Sequence, residues 1–125
     1  MKTAVLLIDC DLGFVFWLGR TLDRGGYEAF PAKSVPDALK LITELNLTVG
    51  LVVLNYSLPG AENLITTLRQ SQKYSKIILL VDDAAEQVQL DADAKYRKPD
   101  GVDENSKAEL LQTIGRVLAH RARTG

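Results

Sequence analysis

The chain has 125 residues, enough for one domain with a sizeable core, and its 46% hydrophobic and 25% charged residues are ordinary for a globular protein. Fifteen basic residues against sixteen acidic ones leave a net charge near −1, which provides no basic field for nucleic acid and no acidic tail. The single cysteine, Cys10, excludes an internal disulfide framework and a Cys-rich metal site and fits a reducing compartment.

No apolar run approaches the ~20 residues that span a bilayer. The start "MKTAVLLIDCD" meets a charge straight after a short apolar run, unlike a signal peptide. A single domain over 1–125, cytoplasmic and without membrane contact, is the expectation.

Ala4 to Ile8 reads as a short buried strand closed by Asp9. Asp11 is placed to cap the next helix, where Phe14, Trp17, Leu18 and Leu22 recur at helical spacing. Phe14, Phe16 and Trp17 cannot all face inward, so one of them is expected at the surface. Gly25-Gly26 ends that helix through a left-handed cap. Tyr27 to Ala32 is a weaker strand, and Pro31 within it argues for a sheet edge.

Ser34 caps a second helix with Pro36 in its first turn and Ala38, Leu39, Leu41, Ile42 and Leu45 on its inner side. "LVVLNYSLPG" follows at 51–60: a continuous apolar run, then the amide of Asn55, then a turn. Leu64, Ile65 and Leu68 predict a helix to about Gln72. Ile77 to Val81 is a fourth strand, and Lys95 to Arg97 a short fifth. Asn105 or Ser106 is expected to cap a last helix carrying Leu110, Leu111, Ile114, Val117 and Leu118 on one face. Strands alternating with helices imply a parallel sheet covered on both sides.

In such sheets sites form beyond the C-terminal strand ends. Here those ends hold Asp9-Cys10-Asp11, Asn55, Val81-Asp82 and Lys98-Pro99. In this order and spacing, "LLIDCD", "LNYSLPG" and "YRKP" resemble the acidic end, phosphoacceptor loop and Lys-Pro of the CheY-like receiver domain of bacterial two-component response regulators. The resemblance runs from about Lys2 to Leu118. It implies a flavodoxin-like, doubly wound five-stranded parallel sheet in order 2-1-3-4-5, with helices on both faces. It also implies phosphoryl transfer from a histidine kinase to an aspartate, with Mg²⁺ held by carboxylates.

Carried over by position, the pocket is degenerate. Asn55 stands at the phosphoacceptor. Asp9 matches the first acidic position, but Cys10 replaces the second. Val81 stands where a hydroxyl residue belongs, and Lys95 where an aromatic does. Lys98 and Pro99 are kept, and Ser57 matches the residue whose carbonyl completes the metal site. Asn63 matches a turn glycine and is expected to tolerate a left-handed backbone. The stretch between Val81 and Lys95 leaves room only for a shortened or irregular fourth helix.

An amide is no nucleophile toward phosphorus, and Mg²⁺ prefers hard carboxylate oxygens. Of the metal positions only Asp9, the Asn55 amide oxygen and the Ser57 carbonyl remain, so no cofactor is expected and Mg²⁺ binding is expected weak or absent. With fewer negative charges present, Asp9 and Lys98 are expected to pair directly, with Asn55 as a neutral hydrogen-bonding partner. Cys10 is read as a small, partly buried filler rather than a redox sensor. His120 and the terminal "HRAR" are assigned no role.

The expected protein is therefore not an enzyme but a pseudo-receiver: a receiver-like module of the two-component class that binds protein partners, a sensor kinase or an effector, without phosphorylation. Two rivals remain open. One is a receiver phosphorylated at Asp9 or Asp11. The other is a flavodoxin-like nucleotide or flavin binder, which the absence of a Gly-rich loop after the first strand disfavours.

Overall fold

The computed structural model describes residues 2–82, 92–98 and 104–119. In chain order the elements are β1 (Ala4–Ile8), α1 (Leu12–Arg24), β2 (Glu28–Ala32), α2 (Val35–Leu45), β3 (Leu51–Asn55), α3 (Ala61–Ser71), β4 (Lys76–Val81), β5 (Ala94–Arg97) and α4 (Glu104–Ala119). All strand pairs are parallel and the sheet order is β2-β1-β3-β4-β5. This is the doubly wound, flavodoxin-like arrangement, with four helices among the described residues. The shortened or irregular fourth helix expected between Val81 and Lys95 falls largely on 83–91, outside the described residues, as do Pro99, His120 and the terminal basic residues.

Alternation along the central strands divides the core into two layers. Leu6, Ile8, Val52, Leu54, Ile77, Leu79 and Val81 pack with Ala38 of α2 and Leu64, Ile65 and Leu68 of α3. Their neighbours Val5, Leu7, Leu51, Val53, Ile78 and Leu80 pack with Phe14, Leu18 and Leu22 of α1 and Leu110, Ile114 and Val117 of α4. β3 is therefore buried on both faces from Leu51 to Leu54, which is why it shows no polar alternation. Each fully buried leucine or isoleucine here contributes about 2 kcal/mol by leaving water.

The caps follow the chemistry of their residues. Asp11 accepts a hydrogen bond from the Phe14 amide at 3.2 Å and starts α1; Ser34 accepts from the Asp37 amide at 3.3 Å and starts α2. After α1 the left-handed residue is Gly26 (φ 91°), and α2 ends on Asn46 at φ 50°. Pro31 lies on β2, an edge strand.

Four local expectations need correction. Leu45 is 53% exposed, because the helix turns its last apolar position past the sheet. Neither Asn105 nor Ser106 is a cap, since α4 already includes Glu104 and both lie in its first turn. Asn63 sits inside α3, and the left-handed residue before that helix is Gly60 (φ 85°), where the missing Cβ makes the conformation cheap. Cys10 is exposed rather than partly buried, because it follows the last inward-facing strand position. Among the α1 aromatics, Phe14 is buried while Phe16 is 62% exposed.

No helix among the described residues is long and apolar enough to cross a membrane.

Candidate functional site

Three strand ends converge above the C-terminal edge of the sheet. β1 delivers Asp9 and, one residue past Cys10, Asp11. β3 delivers Asn55. β5 runs into Lys98, whose amide donates to the Val81 carbonyl at 2.9 Å and so prolongs the β4–β5 ladder to the site.

Asp9 is 1% exposed, and the environment of its carboxylate is asymmetric. Oδ1 accepts from the Asp11 amide at 3.1 Å and from Asn55 Nδ2 at 3.3 Å. Oδ2 receives no directed hydrogen bond among the described residues, but Lys98 Nζ stands 2.9 Å from it. A buried charge without such a partner would be costly, so the ion pair is the condition for Asp9 remaining in place.

Lys98 is held from several sides. Besides Asp9, its ammonium lies 3.2 Å from Asp11 Oδ2 and 4.9 Å from the centre of the Phe14 ring. Burial works against its charge, but the close carboxylates of Asp9 and then Asp11 outweigh that and raise its pKa above the ordinary lysine value. Asp11 is pulled below the ordinary carboxylate value, first by the Phe14 amide and then by Lys98.

Asn55 is fixed by both ends of its amide. Its Nδ2 donates to Asp9, while its Oδ1 accepts from the Ser57 amide at 3.0 Å and the Ser57 hydroxyl at 2.7 Å. The amide oxygen thus turns toward the loop and the amide nitrogen toward the acid. Val81 is 1% exposed and packs into the core layer shared with α2 and α3.

Of the sequence-predicted residues, the fold brings Asn55 and Lys98 each into direct contact with Asp9, and the Val81 carbonyl accepts from the Lys98 amide. Cys10 points outward and Ser57 acts as a donor to Asn55. Two participants carry a second duty beyond the one their sequence position suggests. Asp11 both caps α1 and binds Lys98, and Phe14, a core residue by its spacing, lies under the ammonium. The signal for both is their placement: Asp11 and Phe14 stand three residues apart, at the start of the helix that begins where β1 ends.

No protein-family profile matches the chain, and no curated protein does. Solved structures do match. The chemotaxis response regulator CheY4 of Vibrio cholerae superposes with a TM-score of 0.78 at 21% identity, over 94% of this chain and 99% of that one. The non-phosphorylated HemR receiver domain from Leptospira biflexa gives 0.78 at 24% identity, over 99% and 100%. The response regulator TrrA from Thermotoga maritima, in complex with Mg²⁺ and BeF, gives 0.72 at 26% identity, over 94% and 99%. The chain therefore has the flavodoxin-like fold seen in CheY-like response-regulator receiver domains.

Proposed function

We propose that this chain is a receiver-like signalling module that binds protein partners, a sensor kinase or an effector, without accepting a phosphoryl group. The observation that carries the reading is the closed set of contacts at the strand ends: Lys98 is held between Asp9 and Asp11, and the amide of Asn55 between Asp9 and Ser57. An acyl phosphate needs an anionic oxygen to attack phosphorus, and the Asn55 amide offers none. The lysine that would meet an incoming phosphoryl oxygen is already neutralised by two carboxylates.

The residues present do not fit Mg²⁺. Of the three side-chain carboxylates that the resemblance implies, Asp9 alone remains. One of its oxygens accepts two N–H groups and the other faces an ammonium. Asn55 directs its nitrogen, not its oxygen, toward Asp9, and Cys10 is a soft donor facing solvent. A site satisfied in this way holds one conformation, so its partner surface is constitutive rather than switched. This is a binding role and not an enzymatic one.

The test is an amide-resonance titration with Mg²⁺ to about 10 mM, a range that saturates weak Mg²⁺ sites, followed by beryllofluoride and by acetyl phosphate with intact-mass analysis. The reading expects no saturable shift at Asp9, Asn55 or Ser57 and no added phosphate. Asn55→Asp serves as the control: a second carboxylate beside Asp9 repels it and favours a cation, so this variant should respond to Mg²⁺ where the natural chain does not. One phosphate mapped to Asp9 or Asp11 of the natural chain would overturn the reading.

A further inference from the structure

A cleft of about 440 Å³ opens between α1 and α2 and shares no residue with the Asp9–Asn55–Lys98 site. Its α1 wall is apolar, formed by Leu12, Val15 and Phe16. Leu12 and Phe16 stand one helical turn apart and are 52% and 62% exposed. Two large apolar side chains side by side in water are a common mark of a contact surface.

The opposite wall mixes Pro31, Ala32 and Leu41 with an ordered row of charges. Lys33, just before α2, and Asp37, Lys40 and Glu44 on it follow in sequence, so the signs run plus, minus, plus, minus. Their spacings are four, three and four residues, the same read from either end. Reversing such a row and laying it on itself puts every charge opposite its complement. Lys33 then faces Glu44 of a second copy and Asp37 faces Lys40, each twice. A parallel superposition would set like on like, and a partner of one sign would meet two like charges.

We infer that this face is the interface of a twofold homodimer, its α2 helices antiparallel across an axis passing between Asp37 and Lys40. An isologous interface requires a self-complementary patch, which this charge row is. The same operation carries the Leu12–Phe16 ridge of each copy to the cleft of the other and removes it from water. Lys40 and Glu44 approach each other within one chain at only 3.9 Å, with side chains 70% and 61% exposed, so both remain available across the axis.

Sedimentation of the natural chain up to about 0.5 mM, the range of weak self-association, should show a monomer–dimer equilibrium. Phe16→Ser should raise the dissociation constant about tenfold or more through lost apolar burial. Lys33→Glu and Glu44→Lys, both at exposed positions, should each weaken self-association, because like charges then face across the axis. Mixed in equal amounts, the two variants should recover a heterodimer. The two substituted side chains then meet as an acid against a base, and the unsubstituted Lys33 and Glu44 meet as before. That recovery also shows both variants to be folded. A strictly monomeric natural chain, a dimer indifferent to Phe16→Ser, or a mixture that fails to associate would overturn the inference. In the first case the cleft would be left to a different protein.

Discussion

Asp9 and Lys98 depend on each other in unequal ways. Lys98 keeps about a fifth of its side chain exposed, whereas Asp9 is closed off, so losing the lysine strands a buried carboxylate while losing the acid frees a cation toward solvent. Lys98→Met should therefore cost about 3 kcal/mol, the scale for removing one partner of a buried pair, read as a lowered urea midpoint with an unchanged slope. Asp9→Asn should cost less, because a neutral amide needs no counter-charge. Most of this arrangement was legible in the sequence: an acid ending β1, an amide ending β3 and a lysine after β5 are enough to expect a direct pair with a neutral neighbour. The orientation of the Asn55 amide was not, because it depends on the Ser57 hydroxyl swinging back two residues, a local choice that spacing does not encode.

At the scale of elements, apolar patterning located four of the strands and the four helices among the described residues, context placed the fifth strand, and strand ends moved by a single residue at Glu28, Lys76 and Ala94. β5 is the instructive strand. Its four residues alternate between half-buried Ala94 and Tyr96 and exposed Lys95 and Arg97, too short a run to stand out without the neighbouring β4. The opening of α3 shows the opposite case. Pro59 and Gly60 make the turn legible, but which residue takes the left-handed conformation depends on crowding: a Cβ on Gly60 would lie 3.3 Å from Val35 Cγ1 as well as requiring positive φ. Gly60→Ala should cost about 1–2 kcal/mol for both reasons, seen as a lower melting temperature, while Asn63→Ala, inside the helix, should not destabilise.

For the molecule as a whole, the charged cluster ties β1, β3 and β5 together at one end, so its titration shows in global unfolding. Asp11 is held below the ordinary carboxylate value by the Phe14 amide and then by Lys98, so its contribution is present above about pH 4 and fades as pH falls further. Lys98 is raised, so its contribution is complete below about pH 10 and is lost only as pH climbs past that. Urea unfolding across pH should show a plateau between those limits, and Asp11→Asn should flatten part of the acid limb. The two-layer core explains why so much could be read from the chain: each central strand had to be apolar on both faces. The α1–α2 surface was less legible: three aromatics within Phe14–Trp17 require one to face outward, but only the docked helix shows that it is Phe16.

The outer margin of β2 has a consequence of its own. The Glu28 amide donates to the Thr3 carbonyl and the Ala32 carbonyl accepts from the Asp9 amide, so alternate residues of this strand face β1 and Pro31, out of phase with them, faces away. Its ring nitrogen has no hydrogen to give. Along that border of β2 the carbonyls of Ala29 and Pro31 can both accept but only Ala29 can donate, so a visiting strand would find its row of donors broken at Pro31. That missing donor weakens edge-to-edge addition of a further strand on this flank.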